Sequence, residues 1–95
     1  MGIQALSAKE IQTELAKLPL WRLEGKEIVR QFEFKAFMGS IEFVNGIAAE
    51  AEKADHHPDI LIQYNKVTLR LSTHDCDGLS SRDFALAQKA DRLYS

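Results

Sequence analysis

The chain has 95 residues, room for one domain and no second. Lys and Arg number 12 against 14 Asp and Glu, a formal net charge of −2, which argues against a nonspecific nucleic-acid binder. Apolar residues at 45% and charged residues at 27% exclude wholesale disorder. No apolar run approaches the roughly 18–20 residues of a membrane span. The single cysteine, Cys76, cannot form an internal disulfide and favours a reducing, cytoplasmic setting. The start, MGIQALSAKE, lacks the basic and apolar segments of a secretory signal, and Leu6 stands where myristoylation after Met1-Gly2 would want Ser or Thr.

Residues 7–18 read as a helix. Ser7 and Glu10 form a capping box, Ile11, Leu15 and Leu18 share a face, and Pro19 ends it. Residues 21–23 and 28–34 read as a hairpin around Gly25. Its second strand alternates Ile28, Arg30, Phe32 and Phe34 on one face with Val29, Gln31 and Glu33 on the other. Residues 36–54 are the longest helix candidate, with Phe37, Ile41, Val44, Ala48 and Ala51 as the expected inner face. Gly46 inside it costs about 1 kcal/mol against Ala and suggests close packing on a neighbour.

Residues 59–73 read as a second hairpin. With a turn at Asn65-Lys66, Tyr64 faces Val67, Ile62 faces Leu69 and Ile60 faces Leu71, while Gln63 faces Thr68, Leu61 faces Arg70 and Asp59 faces Ser72. A slip by one residue would mix the faces. Residues 80–93 read as the last helix, capped by Ser80 and Asp83 after Gly78, with Phe84, Ala87, Ala90 and Leu93 inward. The order α-β-β-α-β-β-α predicts an α+β fold, a four-stranded antiparallel sheet with three helices packed on one face, as one domain over residues 1–95.

The chain's three histidines are His56, His57 and His74. Extending the hairpin register places His57 opposite His74, with Glu52, Asp55, Asp59 and Asp75 around them at one end of the sheet. Imidazoles exchange protons at neutral pH, and two that are adjacent are not readily both cations, so such a pair can supply an acid and a base. Glu52 and Asp55 are placed to fix a tautomer or stabilise an imidazolium. The plainer alternative is a solvated His-His-Pro loop, with His74 a strand-end residue satisfied by backbone. A three-histidine zinc site is a third reading, weakened because neighbours on an extended segment point apart. Cys76 has no activating base in a fixed sequence relation, Trp21 reads as core or rim, and Arg82 as a surface residue near the histidine end.

The spacing of Glu52, His56-His57-Pro58, Tyr64, His74 and Asp83 resembles the signature of the pterin-4a-carbinolamine dehydratase family. Trp21, Phe32-Glu33-Phe34-Lys35 and Gly78-Leu79-Ser80 extend the resemblance over nearly the whole chain. It implies dehydration of a 4a-hydroxytetrahydropterin to quinonoid dihydropterin and water, in tetrahydropterin recycling beside an aromatic amino-acid hydroxylase. It implies no metal or redox cofactor, because no electrons move. By the family's pattern His56, His57 and His74 are catalytic, and Glu52, Asp55, His56, His57, Pro58, Ser72, Thr73, His74 and Asp83 bind the substrate. The expectation is that His56 and His74 carry the protons while His57 positions the pterin. The resemblance also implies a homodimer or homotetramer, which suits the weakly charged segment 59–64 as a sheet edge to be covered. Some animal relatives double as a dimerisation cofactor for a homeodomain transcription factor, so a protein-binding coactivator module is the alternative function. One departure is Ile60, where animal members carry tryptophan; it alters the pocket rim, not the proton chemistry.

Overall fold

The computed structural model describes residues 3–95, so the Met1-Gly2 start lies outside it. The elements are α1 (Ala8–Ala16), β1 (Arg22–Glu24), β2 (Glu27–Glu33), α2 (Phe37–Ala54), β3 (Asp59–Gln63), β4 (Lys66–Leu71), a short 3₁₀ turn (His74–Cys76) and α3 (Ser81–Tyr94). This is the expected α+β order. The strands lie as β1-β2-β4-β3, so the sheet's centre is the β2–β4 pair that joins the two hairpins.

Alternation along those two strands builds the core. Ile28 pairs with Leu71, Arg30 with Leu69 and Phe32 with Val67, and all six side chains are buried. Leu18, just past α1, and the helical residues Phe43, Ile47, Ala51, Phe84, Leu86, Ala87 and Ala90 cover this face. Each large apolar side chain so buried contributes about 1.5–3 kcal/mol. Arg30 is tolerated among them because its guanidinium donates to Asp91 at 2.5 Å and lies 4.3 Å from the centre of the Phe32 ring. Val29 points to the outer face yet is fully buried. Its ladder partners are Arg22 on one side and Arg70 on the other, both bonded to Glu24, and their long stems shield it.

The second hairpin differs from its expected register. The turn is Tyr64-Asn65, and Ile62 pairs with Val67 and Ile60 with Leu69, a slip of two positions. A two-residue slip leaves every side chain on its own face, so alternation alone could not tell the two registers apart. Contacts from outside the hairpin select the observed one. The Asn65 side chain donates to the Phe34 carbonyl at 2.9 Å, and the Asn65 carbonyl accepts from the Phe34 amide at 2.8 Å. The Ser40 hydroxyl donates to the Tyr64 carbonyl at 2.8 Å. Tyr64, not Asn65, takes the left-handed conformation, with φ 54°.

Two helix faces also need correction. The buried face of α2 is Ser40, Phe43, Ile47 and Ala51, so Phe37 and Ala48 are exposed and only Ala51 of the expected stripe is fully buried. Apolar residues nearly encircle the first half of α2, which blurs its period, and Ser40 enters the core through its bond to Tyr64. In α3, Leu93 is exposed and Leu86 is buried in its place.

Candidate active site

The site begins where α2 stops. The Asp55 amide donates to the Glu52 carbonyl at 3.2 Å and the His56 amide to the Ala51 carbonyl at 3.0 Å, the two bonds of a Schellman motif. Asp55 holds the left-handed position, φ 49°, where glycine is the usual choice. A Schellman ending turns the next residue back against the helix, and here that residue is His56, which is 8% exposed.

His56 meets a carboxylate from α3. Its Nε2 lies 2.6 Å from Asp83 Oδ1, and Asp83 has no exposed surface. The other carboxylate oxygen, Oδ2, accepts from the Ser80 amide at 2.9 Å and from the Thr73 hydroxyl at 2.7 Å. Ser80 and Asp83 form the capping box of α3, so the carboxylate also sits at the favourable end of a helix dipole. The Thr73 and Ser80 hydroxyls are 2.7 Å apart. Thr73 spends its one hydroxyl proton on Asp83, so Ser80 donates to Thr73 while accepting the Arg82 amide at 3.3 Å. An acceptor-only Asp83 places the His56 proton on Nε2. Among the described residues no buried side-chain N or O lacks a partner, and none of these residues bonds His56 Nδ1, so Nδ1 reaches the surface.

His57 turns the other way, as adjacent residues on an extended segment must. Its Nε2 lies 2.5 Å from Glu52 Oε2, and both side chains are exposed. His74 is exposed at the head of the 3₁₀ turn. Next to it, Lys26 lies 2.7 Å from Asp77 and holds that carboxyl below the usual carboxylate range, with His74 acting in the same sense. Neither His57 nor His74 belongs to the ladder, which ends at Asp59 opposite Arg70; continued two residues further, that register would set His57 against Ser72, not His74. What joins the His74 segment to His56 is Thr73, one hydrogen bond from Asp83. Thr73 is 3% exposed, so it and Asp83 stand behind His56, not on the surface that a ligand would meet. Asp55 is exposed there, and Pro58 and Ser72 are half-buried.

Among the described residues, no three His, Cys, Asp or Glu side chains are grouped closely enough to hold a metal ion. Cys76 is half-buried with Sγ 3.5 Å from the Thr73 carbonyl. Trp21 is core, its Nε1 donating to Asp91 at 2.8 Å, and Arg82 is exposed on the first turn of α3. Three clefts, of about 450, 270 and 250 Å³, are lined by residues of other regions and by no histidine. The residue that sequence reasoning passed over is Ser80, read only as a helix cap. The pointer to it was the shared box: an Asp at the third helical position caps the amide with one oxygen and leaves the other for a partner.

Comparison with known proteins agrees with this architecture. The family model described as pterin 4 alpha carbinolamine dehydratase matches residues 4–93. Two relatives, whose names assign them provisionally to pterin-4-alpha-carbinolamine dehydratase, come from Picosynechococcus sp. and Chloroflexus aurantiacus. The first is 50% identical over 93% of this chain and 96% of its own length, the second 51% over 93% and 95%. A crystal structure from Brucella melitensis, described as a transcriptional coactivator/pterin dehydratase, superposes with a TM-score of 0.93 at 33% identity, covering 97% of this chain and all of the other. A pterin dehydratase-like protein identified as a RuBisCO assembly factor in the alpha-carboxysome superposes with a TM-score of 0.69 at 26% identity, over 79% of this chain and 89% of its own. With nearly its whole length matched, the chain belongs to the pterin 4 alpha carbinolamine dehydratase family.

Proposed function

We propose that this protein dehydrates a 4a-hydroxytetrahydropterin to the quinonoid dihydropterin and water. The observation that carries the reading is the pair of consecutive imidazoles braced through Nε2 by different carboxylates, His56 by Asp83 and His57 by Glu52. Each bracing leaves an Nδ1 for proton exchange or ligand contact. In the reaction the C4a–O bond breaks, and the oxygen takes a proton and departs as water. A ring N–H yields its proton, and the electron pair left behind forms the new C=N bond at C4a. One proton is given, one is taken and no electron is transferred, which is work for an imidazole acid and an imidazole base. His56, through Nδ1, and His74 carry the protons. His57 positions the ring, with Asp55, Pro58 and Ser72 beside it.

The family model and the relatives' names support the substrate class. The product would re-enter a reduction cycle serving an aromatic amino-acid hydroxylase in the cytoplasm. No helix among the described residues is long and apolar enough to cross a membrane. The protein would act as a homodimer or homotetramer, covering the open edge at β3, where Leu61 is 53% exposed. The test of function is carbinolamine decay measured above its uncatalysed rate for wild type, His56→Gln and His74→Ala. Loss of most of the acceleration in both variants is expected, and wild-type rates in both would sink the assignment.

A second reading, a protein-binding coactivator or assembly module, is favoured by one feature. Phe37 and Met38 leave an apolar stretch of α2 exposed, and the names of the two similar structures include such roles. A partner recovered equally well by a His56/His74 double variant would support it.

A further inference from the structure

The hydroxyls of Thr73 and Ser80 form a directed chain that ends on an imidazole. Ser80 donates to Thr73 at 2.7 Å, Thr73 donates to Asp83 Oδ2 at 2.7 Å, and Asp83 Oδ1 accepts from His56 Nε2 at 2.6 Å. These four residues come from three parts of the chain: the end of α2, the end of β4 and the start of α3. All four are buried, Ser80 and Asp83 completely. The chain is also over-determined. The Thr73 backbone is clamped to Gly78 by two hydrogen bonds, of 2.8 and 3.3 Å, and the Ser80 amide holds the same carboxylate oxygen as the Thr73 hydroxyl. A carboxylate held this way cannot rotate its oxygens without breaking several bonds at once.

The geometry points to Thr73 and Ser80 as positioning residues that fix the tautomer of His56, so that this histidine exchanges protons through Nδ1 alone. Neither hydroxyl touches the surface a substrate would meet. Their effect runs through Asp83, whose Oδ1 is aimed at Nε2 only while Oδ2 is occupied. With the Thr73 bond gone, Oδ2 is held by the Ser80 amide alone, so the carboxylate gains freedom to turn about that one bond and its hold on the Nε2–H tautomer of the imidazole weakens. The helix cap of α3 is therefore part of the proton machinery, which links the stability of one helix to the chemistry of another. The catalytic consequence rests on the dehydratase reading, but the orientation of the ring does not.

The test uses the full chain with ¹⁵N-labelled histidine, at a pH where the His56 ring is neutral. Imidazole nitrogen shifts report the tautomer, and carbinolamine turnover is measured on the same samples. Wild type is expected to show His56 protonated on Nε2. Thr73→Val, which keeps shape and removes the hydroxyl, is expected to show mixed tautomers and a kcat lowered by about 10–100-fold with KM little changed. Thr73→Ser restores the hydroxyl and should restore both signals. Ser80→Ala should give a weaker version of the Thr73→Val result. A folded Thr73→Val with a pure Nε2–H tautomer and wild-type kcat would overturn the inference, as would a wild-type His56 protonated on Nδ1. A wild type without turnover but with the tautomer response intact would sink the dehydratase reading and leave the positioning chain standing.

Discussion

His57 Nε2 stands 2.5 Å from Glu52 Oε2, bracing an exposed imidazole against the last turn of the helix that precedes it. Exposed pairs of this kind add little to folding, about 0–1 kcal/mol. Their value lies in where they hold the ring. Replacing His57 by Ala should therefore leave thermal stability nearly unchanged and raise KM for the carbinolamine by about 10-fold or more, the loss of one good ligand hydrogen bond. Glu52→Gln should raise KM less. Steady-state kinetics beside a thermal melt make the comparison, and a large fall in melting temperature with unchanged KM would contradict it.

The partnership of His56 with Asp83 has the opposite balance. Asp83 is fully buried and accepts from His56, Thr73 and the Ser80 amide. Asp83→Ala would orphan all three donors and remove half of the α3 capping box. Each unpaired buried group costs about 1–3 kcal/mol and the cap about 1 kcal/mol. These add to at least about 4 kcal/mol, and a loss of about 4–5 kcal/mol is expected in urea unfolding, with activity lost as well. A loss under about 1 kcal/mol would mean that the network is not what holds this end of the molecule together.

Elements and strand faces were legible in the sequence because they rest on local chemistry. The Ser7–Glu10 and Ser80–Asp83 boxes mark two helix starts, and period-two alternation marks β2 and β4. The register of the second hairpin was not legible. Ile60, Ile62 and Tyr64 match Val67, Leu69 and Leu71 in either of two registers, and the choice is made by Phe34 and Ser40, which are distant in sequence. That one slip removed the expected facing of His57 and His74. The inner face of α2 was misread for a related reason: Ser40 is buried by a tertiary hydrogen bond that no apolar pattern records. The residue types of the site could be read from spacing, but the pairing of each histidine with its carboxylate depended on which way the chain leaves α2.

The outer face of the sheet makes a prediction about acid. Glu24 accepts from Arg70 at 2.9 Å and also contacts Arg22. The Arg70 hydrogen bond first, and Arg22 second, hold its carboxyl below the ordinary value of 4.5. A folded-state value lower than the unfolded one means that the contact stabilises fully above about pH 4.5 and is lost as pH falls through the lowered value. Between about pH 4.5 and that lowered value Glu24→Gln should show a shallower decline of melting temperature with acidification than wild type. High salt should narrow the gap, because the groups are exposed. Parallel declines at low salt would remove Glu24 from the account of acid stability.

Two glycines of α2 should respond to the same substitution with opposite signs. A Cβ on Gly39 would sit 3.0 Å from the Phe34 Cβ, and Phe34 is held at its backbone by Asn65, so neither side can yield cheaply. A Cβ on Gly46 would meet only the Leu93 methyls, at 3.4 and 3.6 Å, on a side chain that is 45% exposed and free to swing. Gly46→Ala should therefore keep most of the helix-propensity gain and stabilise by about 0.5–1 kcal/mol. Gly39→Ala should lose more to overpacking than it gains, a net destabilisation of about 1–3 kcal/mol. It should also disturb the Phe34–Asn65 contact that selects the register of the second hairpin. Chemical denaturation of both variants measures the signs. A stabilising Gly39→Ala would mean that the helix can shift away from Phe34, and the register would then have to be held by Ser40 alone.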